Sequence, residues 1–92
     1  MRVAVYYGNR DLRVEERTRP QAGPGELVFR VMASGVCGSD VLEWYRLAKA
    51  PLVLGHEVAG EVVEIGAGLA GFAVGARIVT THHVPCNACR YC

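Results

Sequence analysis

The sequence predicts a mainly β domain carrying one short helix. Three observations point there. Several segments alternate apolar and polar residues with the period of a strand. Glycine and proline interrupt the chain at short intervals. No stretch sustains a helical period long enough for a substantial helix. With 92 residues, 51% of them hydrophobic, the chain suffices for one small domain with a thin core, because at this size roughly two-thirds of the unfolded surface can be buried.

The elements follow in order. Met1–Tyr7 alternates around Val3, Val5 and Tyr7 and reads as a strand. Gly8-Asn9 is a turn signal, and Leu12–Glu15 alternates again, so the first segment is a predicted hairpin. Pro20 and Gly23-Pro24-Gly25 break the chain. Glu26–Val36 is the clearest strand, with Leu27, Phe29, Val31 and Ala33 on one face and Glu26, Arg30 and Ser34 on the other. It delivers Cys37 at its end. Ser39 or Asp40 can cap a short helix over roughly Asp40–Leu47, with Val41, Trp44 and Tyr45 as its core-facing stripe. Trp44 could instead line a pocket mouth. Val58–Ile65 is a strand whose Gly60 admits a close backbone neighbour. Arg77–Thr81 is the next strand.

Composition excludes several classes. The net charge is +1, with ten basic and nine acidic residues interspersed. A nucleic-acid partner would want a clustered basic face. No apolar run approaches the ~20 residues of a membrane span, and Met1–Val5 turns polar too quickly for a secretory signal. The expected compartment is therefore the reducing cytoplasm, where a cysteine cluster reads as metal-binding rather than disulfide-forming. Cys92 ends an unfinished pattern, which suggests a piece of a longer protein.

Two constellations carry chemistry. Cys37 and His56, nineteen residues apart, are donors of the kind zinc selects. Gly38 follows the thiol and Gly55 precedes the imidazole, so the backbone can turn to bring the two together. A catalytic zinc takes three protein ligands and keeps one position open; the third is Glu57 or lies outside the chain. Taken singly, a cysteine is ordinarily a small buried apolar residue and a histidine a hydrogen-bonded structural one. Ser39 and Asp40 after the thiol and Glu57 after the imidazole raise the metal reading. The second constellation is Cys86, Cys89 and Cys92, spaced to wrap a tetrahedral ion in a closed, structural site. Only three of its four ligands are present, with His82, His83 or water as stand-ins for the fourth; by default the two histidines are exposed or hydrogen-bonded loop residues. Gly66-Ala67-Gly68-Leu69-Ala70-Gly71 matches the dinucleotide pattern in letters only. No helix opens behind it and no acidic residue lies about twenty positions on, so it reads as a turn between strands.

These residues resemble the zinc-containing medium-chain alcohol and polyol dehydrogenases along the whole chain. The resemblance rests on Gly35-Val36-Cys37-Gly38-Ser39-Asp40, on Gly55-His56-Glu57 through Gly66, on Val74–Val79 and on the terminal cysteines. The wording Cys37-Gly38-Ser39-Asp40 is most similar to the sorbitol and threonine dehydrogenase branch. The resemblance implies that residues 1–92 form the N-terminal chaperonin-10-like (GroES-like) catalytic domain, a partly open β-barrel, with residues 82–92 starting a structural-zinc lobe. A Rossmann domain binding NAD or NADP would lie C-terminal. The resemblance also assigns roles. Cys37 and His56 would hold a catalytic zinc, with the remaining protein ligand beyond these 92 residues and Glu57 an exchangeable ligand or a carboxylate just beyond the ion. Ser39 would take the proton of the substrate hydroxyl. Asp40 would hydrogen-bond the far nitrogen of His56. Cys86, Cys89 and Cys92 would be three of four ligands of a structural zinc. The substrate would be a small alcohol or polyol, and the complete enzyme a homodimer or homotetramer; the 92 residues alone would be inactive.

Departures from the family pattern are local. Leu42 stands where many members carry a relay histidine, Ala76 replaces a usual aspartate, and Asn87 stands where glycine is common. The loop between Cys37 and His56 is short. Two other readings compete: a non-enzymatic zinc module, in which both clusters only hold the domain together, and a zinc-free quinone or enoyl reductase of the same superfamily.

Overall fold

The computed structural model describes residues 1–86 and 88–91. Its order is β1 (Arg2–Gly8), β2 (Asp11–Glu16), β3 (Leu27–Ser34), a 3-10 turn (Gly38–Val41), α1 (Glu43–Leu47), β4 (Leu52–Val53), β5 (Val58–Ile65) and β6 (Arg77–Val79). The strands form two antiparallel three-stranded sheets, in the orders β2-β1-β4 and β3-β5-β6. The mainly β architecture with one short helix is as the sequence predicts. No helix among the described residues is long and apolar enough to cross a membrane.

The hairpin forms where Gly8-Asn9 predicts it, with Val5 opposite Arg13 and Tyr6 opposite Leu12. Its turn also docks on the next layer. Asn9 donates its backbone N–H to Glu43 Oε1 at 3.1 Å and its side-chain amide to the Val41 carbonyl at 3.0 Å. The hairpin thereby grips the segment after Cys37. β4, two residues long, pairs Val53 and Leu52 with Val5 and Tyr6. It is too short for any periodicity to reveal.

β3 and β5 form the longest ladder, from Leu27 opposite Ile65 to Ser34 opposite Val58. Two register shifts, between Val28 and Phe29 and between Val31 and Ala33, disturb the alternation expected of β3. Val31 and Met32 are consequently both exposed, and the C-terminal half of β3 has no buried face among the described residues. Gly60 lies where Arg30 crosses: a methyl group there would collide with the Arg30 carbonyl and the Phe29 ring. The glycine-rich segment 66–71 is a turn, as expected. Gly66 N–H donates to the Glu26 carbonyl at 2.8 Å, and Gly25 N–H donates to the Ala67 carbonyl at 2.8 Å.

The buried hydrophobic residues among those described are Val5, Tyr6 and Val62. The core is as thin as the length implies, and the body is flat, 41 × 36 × 21 Å. Its radius of gyration is 15.1 Å, against about 12 Å for a compact domain of this length.

The predicted helix over Asp40–Leu47 is divided. Leu42, at ψ 85°, separates the 3-10 turn from α1. The spacing of Val41, Trp44 and Tyr45 therefore does not carry across one continuous helix. Val41 is 63% and Trp44 76% exposed, so the stripe is not core. Arg46 is the residue of α1 that is buried.

Two outcomes follow. Gly60→Ala should destabilise the chain by about 1–3 kcal/mol, measured by denaturant unfolding; an unchanged midpoint would contradict the close approach. In the hairpin, the Tyr7 hydroxyl donates to Glu15 Oε1 at 2.6 Å. That bond, aided by Arg17, holds the Glu15 carboxyl below its ordinary value. Its stabilising effect is full above the ordinary carboxylate pKa and is lost as pH falls through the lowered one. Tyr7→Phe should move the Glu15 titration midpoint upward in an NMR pH series.

Candidate metal centre

The site stands where the β3–β5 ladder stops. Ser34 and Val58 are the last paired residues. One more bond, from Gly35 N–H to the Glu57 carbonyl at 2.8 Å, carries the pairing past the strand ends. Cys37 leaves from one side of this junction and His56 and Glu57 from the other. Gly35 also leaves room for the Glu57 side chain, since a Cβ on Gly35 would sit 3.2 Å from the Cβ of Glu57.

In a regular strand His56 and Glu57 would point to opposite faces. Here both lie in a bend that precedes β5. Gly55, at φ +134°, sets it up, in a conformation that side chains rarely adopt. Gly38 differs from the expectation. It has open space around it and is not among the positive-φ glycines, so the turn after the thiol does not depend on it. Through this arrangement one donor atom each from Cys37, His56 and Glu57 lies within 4.8 Å of the others. Cys37 and His56 are partly buried and Glu57 is exposed. A thiolate, an imidazole and a carboxylate at that separation suit a tetrahedral zinc that keeps a position open.

Asp40 stands beside two of the donors, Cys37 and His56. It is 9% exposed. Its Oδ2 accepts the backbone N–H of Cys37 at 3.0 Å. Its Oδ1 accepts from the Arg46 guanidinium at 2.7 Å and stands 3.6 Å from His56 Nδ1. Asp40 thus faces the imidazole as the resemblance implies, though at 3.6 Å the pair is longer than a hydrogen bond. Ser39 Oγ accepts a second guanidinium bond at 3.0 Å, and the Ser39 carbonyl accepts from Arg46 Nε at 3.0 Å.

A cleft of ≈ 620 Å³ opens over these groups. Cys37, Ser39, His56 and Glu57 line one part, and Leu42, Trp44 and Tyr45 supply an apolar wall. His82 joins the lining, its ring 5.9 Å from that of His56 and 3.9 Å from that of His83. Cys86 and Cys89 are exposed near the end of the chain. Cys92 and Asn87 lie outside the described residues. Sequence reasoning missed Arg46 altogether and considered His82 only as a loop residue or a stand-in ligand for the cysteine cluster, not as part of this cleft. Only the repeated histidine before the cysteine cluster marked His82.

Comparison with known proteins gives a consistent picture. Residues 23–92 match the family model described as the alcohol dehydrogenase GroES-like domain. The chain is 44% identical over 79 residues to L-threonine 3-dehydrogenase of Pyrococcus horikoshii, covering 79% of this chain and 23% of that protein. It is 39% identical to sorbitol dehydrogenase of Halalkalibacterium halodurans over 98% of this chain and 27% of that protein. It is also 35% identical to acryloyl-coenzyme A reductase of Metallosphaera sedula, over 100% of this chain and 29% of that protein. Among solved structures, 2R,3R-butanediol dehydrogenase from Bacillus subtilis superposes with a TM-score of 0.73 at 33% identity, over 85% of this chain and 26% of that one. The chain thus spans about a quarter of the length of the curated relatives it matches.

The exposure of Trp44 sets an expectation opposite to that of a core stripe. Trp44→Ala should shift the stability of this chain by no more than about 0.5 kcal/mol, as at other exposed positions. Thermal unfolding checks this, and a loss of several degrees would return Trp44 to the core.

Proposed function

The chain belongs to the alcohol dehydrogenase GroES-like domain family, and from that premise we propose that it is the N-terminal catalytic domain of a zinc-dependent, NAD(P)-linked alcohol or polyol dehydrogenase. The observation that carries the proposal is the convergence of Cys37, His56 and Glu57 within 4.8 Å, on the wall of a cleft that also holds the Ser39 hydroxyl. Cys37 and His56 would hold the metal, and Glu57, which is exposed, would be the exchangeable carboxylate. When bound, zinc supplies Lewis acidity at the substrate oxygen. A nicotinamide cofactor held by a further domain would supply the hydride acceptor.

The chain's own residues do the rest. Ser39 Oγ takes the proton of the substrate hydroxyl while its own proton passes to water in the cleft, a route that replaces a side-chain relay at Leu42. One of its lone pairs is already occupied by Arg46, which leaves the other to accept. Asp40 faces Nδ1 of His56, which would leave Nε2 free to take a metal. Leu42, Trp44 and Tyr45 offer the substrate an apolar wall. Cys86, Cys89 and Cys92 are proposed as ligands of a second, structural zinc. The compartment proposed is the cytoplasm, and the complete protein a homo-oligomer.

The 35% identity with a reductase along the whole chain supports a second reading, a zinc-free reductase on the same fold. One experiment separates the two. Cys37→Ala and His56→Ala in the complete protein should each lose one metal equivalent and reduce alcohol turnover by more than the roughly 100-fold typical when a group merely supporting a ligand is removed. Metal analysis and NAD(P)-linked assays with an alcohol panel provide the readout. Full turnover by either variant would discard the dehydrogenase proposal.

A further inference from the structure

Arg46 and Asp40 are the buried charged residues among those described, each 9% exposed. Burying such a pair costs several kcal/mol per ion before their attraction is counted, so its placement calls for a reason. Arg46 places its donors on three acceptors, all in the segment that follows Cys37. They are the Ser39 carbonyl at 3.0 Å, Ser39 Oγ at 3.0 Å and Asp40 Oδ1 at 2.7 Å. It forms no hydrogen bond or ion pair with Cys37, His56 or Glu57 among the interactions described. Yet the carboxylate it holds binds one of them and faces another. One oxygen of Asp40 anchors the Cys37 N–H at 3.0 Å, and the other stands 3.6 Å from His56 Nδ1.

We propose that Arg46 is a positioning residue for the metal centre, acting through Asp40. The proposal rests on the reading of Cys37, His56 and Glu57 as metal donors. A carboxylate bound only by the Cys37 N–H can rotate about χ2. The guanidinium removes that freedom, because the 2.7 Å bond fixes Oδ1 on the side of the imidazole. With the carboxylate fixed, the tautomer of His56 that offers Nε2 is favoured before any metal arrives. The two further bonds to Ser39 tie the same guanidinium to the 3-10 turn. Cys37, Ser39 and Asp40 therefore move as one unit with α1. A staple that served the fold alone would not need an oxygen shared with the imidazole.

The test uses the complete protein with cobalt(II) in place of zinc. Affinity is read by chelator competition, and geometry by the visible absorption of the ion. Cobalt lost on Cys37→Ser defines the centre concerned. Arg46→Met, which keeps the side chain's length but not its donors, should lower affinity at that centre about 10–100-fold and change the cobalt spectrum. Asp40→Asn should do the same, and the double variant should be no worse than Asp40→Asn alone, since the two act through one contact. Arg46→Lys should recover part of the affinity. Circular dichroism checks that each variant folds; if Arg46→Met does not, Arg46→Gln takes its place under the same criterion. Parent affinity and spectrum in the folded Arg46 variant, or losses that multiply in the double variant, would overturn the proposal. Cobalt binding unchanged in Cys37→Ser would instead overturn the metal-centre reading itself, so the two failures are distinguishable.

Discussion

The β3–β5 ladder ends at Ser34 and Val58, and the site depends on its ending there. Antiparallel pairing brings together residues far apart in sequence at a fixed strand spacing, with little freedom left to the atoms just beyond. The Gly35–Glu57 bond extends that constraint by one step. Cys37 and His56 then need only short excursions to meet. A slip of one residue in this register would exchange the faces of every side chain on β5 and carry His56 away from the thiol. Gly60 guards the register from within, because only a residue without a side chain lets Arg30 cross so closely.

The ladder positions the main chain, but it does not orient the side chains. Beside them stands Asp40, whose two oxygens face different elements. Oδ2 closes the 3-10 turn against Cys37, and Oδ1 meets both Arg46 and His56. Charge-assisted bonds of this kind are stronger than neutral ones, and here they lie in a region from which water is largely excluded. The hairpin contributes from the opposite side. Asn9 binds Glu43 and the Val41 carbonyl, so the segment carrying Ser39 and Asp40 is held between both sheets.

Much of this was legible in the sequence for identifiable reasons. The hairpin was, because Gly8-Asn9 sits between two alternating runs. The candidate donors were, because Cys37, His56 and Glu57 are residue types whose chemistry is visible without coordinates. The character of segment 66–71 was, because no helix pattern follows its glycines. Arg46 was not. It is six residues from Asp40, outside the spacing at which helical neighbours meet, and an arginine on a short helix reads as a solvated charge. The Val41–Trp44–Tyr45 stripe misled because periodicity presumes a continuous helix and Leu42 interrupts this one. Gly38 and Gly55 look alike as letters; the backbone conformation that distinguishes them does not appear in the sequence.

The three candidate donors are held with unequal firmness, and the inequality fits their proposed roles. Cys37 is fixed through its own N–H. His56 is partly buried, with a carboxylate on one flank and His82 on the other. Among the described residues, Glu57 is anchored only through its carbonyl, while its side chain is exposed. A ligand that must leave and return during turnover needs rotamer freedom, and one that must stay needs its freedom removed. Two partly buried donors of nitrogen and sulfur beside one exposed carboxylate suit both requirements within a chain too small to build a thick core. The rigidity comes from hydrogen bonds at the end of a ladder rather than from packed apolar volume.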